Sequence, residues 1–376
     1  MGKIAVDKII NGLITRKVCV MHLDSLKIKN FRILEDVTIE KLGHVNLIVG
    51  KNNSGKSTVL EALLLFATGF HSESVKFANS IKNSDRFFSK NSSNKESISI
   101  ENLLNSKNKT KLTENKVYIG ESNNFLEFGY LDESEMEEST YFELYCDTPY
   151  NHFNDTKNGS TIRVISNFGL SIDENDRTQG HWKEEFPCGY VSTNPLNIIQ
   201  LAMEWDNIAL TDNEELVLDM LKLIDSNIKR FAFLTHDNSN IRVPFALLDD
   251  NSRIPLHQMG DGVLRLLLII MKVIKARDGF LLIDEFENGL HYSVQPKVWE
   301  LIFELAHRFN IQVFATTHSW DCIESFAQVA KDRTDIEGLL FRMGHSVRKS
   351  DKGKLIATVF DEDDLYNLTK MNIEVR

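Results

Sequence analysis

The sequence is poor in cysteine, has no long apolar run and is short of positive charge. Its four cysteines, Cys19, Cys146, Cys188 and Cys322, are scattered through 376 residues without a CxxC pair. That excludes a zinc-binding spacing and a disulfide framework, and leaves reduced thiols as the reading. No apolar stretch reaches the roughly 18 residues that would span a bilayer. The longest, 59–70 and 263–274, are short or broken by charge and read as buried helices. Arg16 and Lys17 interrupt the N-terminal stretch, so no signal peptide is read there and a cytoplasmic location is expected. A net charge of −11 argues against tight nonspecific binding to DNA, which needs Lys and Arg to neutralise phosphates; a basic patch on one face stays open. Internal repeats and sustained heptads are absent, so no long coiled-coil arms are expected.

What is present is the mix of a globular chain, 42% apolar and 26% charged, with length enough for one large domain or two ordinary ones. Residues 1–22 form an N-terminal extension. Segments 23–70 and 190–376 alternate apolar strands with helical spacing, which predicts a mainly parallel sheet with helices on both faces. Between them, 71–189 reads as an insertion. It is rich in Ser, Asn and Lys to about residue 115, then β-rich ("KVYIG", "FLEFGYL", "YFELYC", "TIRVIS") with an acidic run, "DESEMEE", taken as solvated surface.

Three motifs carry chemistry. The first is Gly50-Lys51-Asn52-Asn53-Ser54-Gly55-Lys56-Ser57, a GxxxxGK[ST] loop with an apolar strand before it and the helically spaced "KSTVLEALLLFATG" after it, with Thr58 among the expected nucleotide-binding residues. Gly50 and Gly55 permit the backbone turns that aim N–H groups at phosphate oxygens. The helix start adds its positive end. Lys56 would bridge the β- and γ-phosphates of ATP, and Ser57 would ligate Mg²⁺. The second motif, "GFLLIDE", runs a buried strand into Asp284 and Glu285. At such a strand exit Asp284 would hold Mg²⁺ and Glu285 would activate water. The third, "IQVFATTHS", places His318 at the end of the next strand, where an imidazole can sense the γ-phosphate.

In this order "NSGKST", "GDGVLRLL", "LLIDEFENGLH" and "FATTHS" resemble the ABC-type ATPase heads of SMC and RecF proteins. They resemble still more the bacterial AAA-type ATPases related to the OLD family, as in PARIS-like anti-phage systems. The resemblance covers about 23–70 and 190–376. It implies an ABC-ATPase head with an additional antiparallel β subdomain, and ATP and Mg²⁺ as ligands. It also implies a head-to-tail ATP-sandwich dimer or higher oligomer. Met259-Gly260-Asp261-Gly262 falls at the signature loop that reaches the partner's γ-phosphate, with Gly260 where the family has serine. Residues 287–291 match the D-loop. Asn30-Phe31-Arg32 matches an "NFR" motif, in which Arg32 is a phosphate contact or a surface arginine. Gln200 and Gln179 are the candidates for the Q-loop glutamine. The stretch after His318 is too short for the TOPRIM nuclease domain of OLD proteins. The acidic run 361–364 reads as a helix start capped by Asp361 rather than as a metal cluster. The resemblance leaves three functions open: a defence ATPase controlling a separate effector such as a nuclease or toxin, a RecF/SMC-like DNA-binding repair ATPase, or an ATP-binding interaction module with little turnover.

Overall fold

The computed structural model describes residues 22–68, 116–122, 124–130, 150–155, 160–166, 186–193, 197–235, 241–333, 335–351 and 353–370. Its centre is a six-stranded sheet. In chain order the strands are β3 (Val45–Val49), β8 (Cys188–Val191), β12 (Phe280–Ile283), β13 (Gln312–Thr316), β14 (Gly338–His345) and β15 (Leu355–Phe360). The spatial order is β15-β14-β3-β13-β12-β8, parallel throughout except for β15.

Every residue of β3, β12 and β13 is buried, because both faces are covered. Val45, Leu47 and Val49 join one core; Ile48 joins the other. The first core is closed by α4 (Asp261–Lys275), α5 (Gln295–Phe309) and α6 (Trp320–Asp332). It also takes in α2 (Ile198–Asp206), α3 (Asp212–Ile224) and a three-stranded antiparallel sheet of β9 (Ile228–Thr235), β10 (Arg242–Leu248) and β11 (Arg253–Pro255). The second core lies between the central sheet and an antiparallel sheet, with α1 (Lys56–Thr68) inside it. From Val59 to Thr68 α1 shows no exposed face, which explains why its sequence is apolar all round but for Glu61 and Thr68.

The antiparallel sheet runs β2-β1-β4-β5-β7-β6. It joins β1 (Leu26–Phe31) and β2 (Leu34–Ile39) to β4 (Val117–Glu121), β5 (Asn124–Tyr130), β6 (Tyr150–Asp155) and β7 (Ser160–Ser166). Strand β4 pairs directly with β1, Lys27 opposite Gly120 and Lys29 opposite Tyr118. The β-rich part of the insertion therefore continues the N-terminal sheet. Strand β6, Tyr-Asn-His-Phe-Asn-Asp, had no signal in the sequence: its polar residues show too little β preference, and pairing with β7 supplies what composition does not. The extension 1–21, the loop-rich 71–115, "YFELYC" and the acidic run lie outside the described residues. Asp361 accepts the Asp364 N–H at 2.8 Å at the start of α7 (Glu362–Lys370), so this acidic run does begin a helix. Among the described residues no helix is long and apolar enough to cross a membrane.

At the amino ends of the strands a buried amide locks the chain's entry into the domain. Gln312 accepts the Leu23 N–H at 2.9 Å and donates to Leu23 O at 2.8 Å and Gly43 O at 2.9 Å. Replacing it by leucine strands buried backbone groups, each worth about 1–3 kcal/mol. Gln312→Leu is expected to lower unfolding free energy by roughly 3 kcal/mol, measured by urea denaturation.

Candidate nucleotide site

The phosphate loop links β3 to α1. Its backbone enters the left-handed region at Gly50 (φ +147°), Asn53 (φ +61°) and Gly55 (φ +91°). A Cβ on Gly50 would fall 2.3 Å from Met343 O and 2.6 Å from Ser54 Oγ, so glycine is required there by space as well as by φ. Lys51, Asn52 and Asn53 form the exposed apex. Ser54 is buried and its hydroxyl has no partner. The Lys56 ammonium turns back into the loop, donating to Gly50 O at 2.8 Å and Lys51 O at 3.1 Å. Burial pushes its pKa down, against the pull of Asp284, Glu285 and Glu287. A partly desolvated cation held only by carbonyls is a ready partner for phosphate. Ser57 and Thr58 follow in the first turn of α1.

Across from the loop, β12 ends at Asp284, which is 6% exposed. Its Oδ1 accepts the Ser57 hydroxyl at 3.0 Å and the Thr316 hydroxyl at 2.6 Å. Thr316 Oγ1 in turn accepts the Glu285 N–H at 2.8 Å. One hydroxyl at the end of β13 thus sets both acids. Glu285 sits at φ +48°, a conformation costing a non-glycine residue on the order of 1 kcal/mol or more and retained only where neighbours impose it. The Phe286 N–H to Thr316 O at 2.9 Å and the Asn288 N–H to Glu285 O at 3.0 Å impose it here. His318 is partly exposed just beyond β13. Its N–H donates to Glu287 Oε1 at 2.8 Å, and the Thr317 hydroxyl donates to Glu287 Oε2 at 2.7 Å.

Arg265 carries no functional signal in the sequence beyond being a cation near the start of an otherwise apolar stretch of its helix. From α4 its guanidinium donates to Ser192 O at 2.6 Å, Asp284 O at 2.8 Å and Glu285 O at 3.3 Å. Burial lowers its pKa, and Asp284 and Glu285 oppose that. It clamps the strand exit that bears both acids. The D-loop match does not reveal that Glu287 holds His318, nor does the third motif reveal that Thr316 serves both acids, because these roles depend on pairings between the exits of β12 and β13 rather than on a local pattern.

The signature segment begins α4. The sequence suggests a helix start at Gly262, whereas the helix starts at Asp261 with Gly260 as N-cap (φ +106°, ψ 154°). Gly260 ends a short 3₁₀ turn at Leu256–Met259 and can take this φ without strain. No side chain caps this helix, in contrast to Asn197 on α2, Thr211 on α3 and Ser319 on α6. A Cβ on Gly262 would meet Gly289 O at 2.8 Å, so the D-loop segment packs against the helix start. Arg32 lies in a buried ion pair with Glu61 of α1, the side chains 9% and 3% exposed; reaching a phosphate would require sharing or leaving that pair. Gln200 is exposed on α2 and donates to Glu204 Oε1 at 3.3 Å. Gln179 lies outside the described residues.

The Ser57 hydroxyl and Asp284 carboxylate are hard oxygen donors that suit Mg²⁺. Among the described residues no group of three or more His, Cys, Asp or Glu is disposed to hold a metal, so these two would need phosphate and water to complete a coordination shell.

A phosphate loop and two acids at neighbouring exits of a parallel sheet, with an antiparallel sheet alongside, define a P-loop ATPase of the ABC/SMC/RecF type. Its family model matches residues 45–321, and the chain belongs to that family, described as "AAA domain, putative AbiEii toxin, Type IV TA system". The chain is 25% identical over 334 residues to an "ATP/GTP phosphatase" of Helicobacter pylori, covering 83% of this chain and 89% of that protein. It is 41% identical over 68 residues to the DNA replication and repair protein RecF of Pseudoalteromonas atlantica, 18% of this chain and 19% of that one. Among solved structures, the SMC head bound to the C-winged helix domain of ScpA aligns with TM-score 0.49 at 13% identity, covering 91% of this chain and 98% of that one.

Arg265→Lys cannot reproduce a planar fork over three carbonyls. ATP turnover should fall on the order of 100-fold through misplacement of the acids. Nucleotide affinity should change less than about threefold, and steady-state kinetics beside a fluorescent-nucleotide titration checks both.

Proposed function

We propose that this ATPase is a dimerisation switch: two copies close head to tail on ATP and open after hydrolysis, and the cycle controls a separate effector protein. The observation that carries the reading is the exposed start of α4. Gly260 is exposed, nothing lies within 4 Å of where its Cβ would be, and no side chain caps the helix. The fifteen-residue helix thus presents the N–H groups at its very start and a positive dipole end to an anion supplied from outside. The γ-phosphate held by a second copy is such an anion; the N–H groups of Asp261 and Gly262 would meet it, and Gly260, whose own N–H donates to His257 O at 3.3 Å, would leave room for its approach. That removes the need for the serine hydroxyl usual in the resembling heads.

Within one copy, Gly50 to Thr58 would cradle the phosphates, with Lys56 exchanging its loop carbonyls for phosphate oxygens. Ser57 and Asp284 would hold Mg²⁺, which supplies charge neutralisation at the β- and γ-phosphates. Glu285 would orient the attacking water and accept its proton. His318, its backbone pinned by Glu287, would face the γ-phosphate. An effector-controlling role in anti-phage defence, with a toxin or nuclease as partner, extends this reading; the family description names a type IV toxin–antitoxin system, in which an activity is held in check by a second protein. A net charge of −11 agrees with a protein partner better than with DNA. The local identity to RecF favours a second reading, a DNA-binding repair ATPase. ATP turnover that duplex DNA stimulates strongly would replace the first reading with the second.

Two variants test the chemistry. Lys56→Ala should lose the thermal stabilisation that ATP gives the wild type, about 2.7 kcal/mol at a concentration of 100 Kd. Glu285→Gln should bind ATP normally, turn over about 10² to 10⁴ times more slowly, and accumulate as a dimer in analytical ultracentrifugation. Wild-type turnover in Glu285→Gln would end this assignment.

A further inference from the structure

We propose that Glu61 is a positioning residue for nucleotide binding: through Arg32 it holds the β1–β2 turn against the phosphate loop. The inference rests on the nucleotide site proposed above.

Glu61 lies four residues after Ser57 on α1, one helical turn along. It is nearly sealed from solvent, at 3% exposure, in the apolar second core. A carboxylate in that setting needs a charged partner, and the Arg32 guanidinium supplies it. Arg32 (φ +49°) belongs to the turn between β1 and β2, and it and Asn30 (φ +56°) near the end of β1 both adopt left-handed backbone without being glycine. Such strain persists only where the surroundings over-determine it. The same turn presses on the phosphate loop. A Cβ on Gly55 would lie 2.8 Å from Leu34 Cδ2 and 3.4 Å from Ile33 Cδ1. The ion pair thus fastens the turn to the helix that carries Lys56 and Ser57, and the turn's side chains back the loop at its second glycine. The loop is held in shape before nucleotide arrives, and this lowers the ordering cost of binding.

A structural pair of no consequence for the site would leave affinity untouched in the folded protein. A pair that merely masks a phosphate-binding arginine would have the opposite sign, since removing Glu61 would release Arg32 and tighten binding. The test is titration of the full-length protein with a fluorescent ATP analogue, together with ATP kinetics and circular dichroism. Glu61→Gln is expected to weaken binding and raise KM about tenfold while kcat at saturation stays within about twofold. Glu61→Asp, which keeps the charge, should recover part of the affinity. The Arg32→Met/Glu61→Gln double variant should be no worse than the weaker single variant, because both act through one contact. If Glu61→Gln does not fold, Arg32→Met/Glu61→Met replaces the pair with apolar groups of similar volume and should show the same tenfold loss. Unchanged or tighter binding in the folded variants, or fully additive losses, overturns the proposal. Lys56→Ala separates the two levels. If it binds ATP normally, the site itself is misassigned. If it abolishes binding while Glu61→Gln does not weaken it, only the role of Glu61 falls.

Discussion

Strands β3, β12 and β13 have no solvent-facing side, and that constraint organises the molecule. A strand buried on both faces can carry polar groups only at its ends. Here the carboxyl ends of these three neighbours receive the phosphate loop, the acid pair and the Thr-Thr-His segment. Their polar side chains then satisfy one another. Thr316 serves Asp284 and the Glu285 N–H together, Ser57 reaches Asp284 from the other side, and Glu287 holds the backbone of His318. A buried hydroxyl or carboxylate without a partner is costly, so the network that avoids that cost also fixes the geometry of the site.

The same constraint governs what could be read in advance. An uninterrupted apolar run ending in two acids, or in Thr-Thr-His, is legible because a doubly buried strand leaves a contiguous signature. The glycines of the phosphate loop are legible for a similar reason, since each answers a local backbone demand. Arg265, Thr316 and Glu61 do their work across pairings 19 or more residues apart, and no spacing rule announces them. Strand β6 and the continuation of the N-terminal sheet by β4 were hidden for a related reason. Both depend on a partner strand: the sequence of β6 alone is noncommittal, and "KVYIG" reads as a strand without naming β1 as its partner. The start of α4 differed by one residue from the motif-based estimate because Gly260 can cap at positive φ, a freedom that leaves no mark in hydrophobic periodicity.

The site also illustrates two uses of backbone strain. Glu285 is held left-handed by hydrogen bonds to Thr316 at the end of β13 and within its own turn, so its carboxylate is aimed by the main chain as much as by χ angles. Arg32 is held left-handed at the far side of the loop by a buried charge pair. In each case a residue with an ionic side chain occupies a backbone position that glycine would take more readily, which is the pattern expected where direction matters more than local ease.

The position of β3 in the sheet has a consequence for how the protein is made. Residues 45–49 lie between β13 and β14, pairing with Val313 to Thr316 on one side and Gly338 to Arg342 on the other. During synthesis the phosphate loop emerges early, but both strands that brace it are translated only after most of the chain. Parallel partners so distant in sequence must be recruited against a large loop-closure entropy, which favours slow, late assembly. A nascent chain on the ribosome would therefore carry the binding motif without the scaffold that grips a nucleotide.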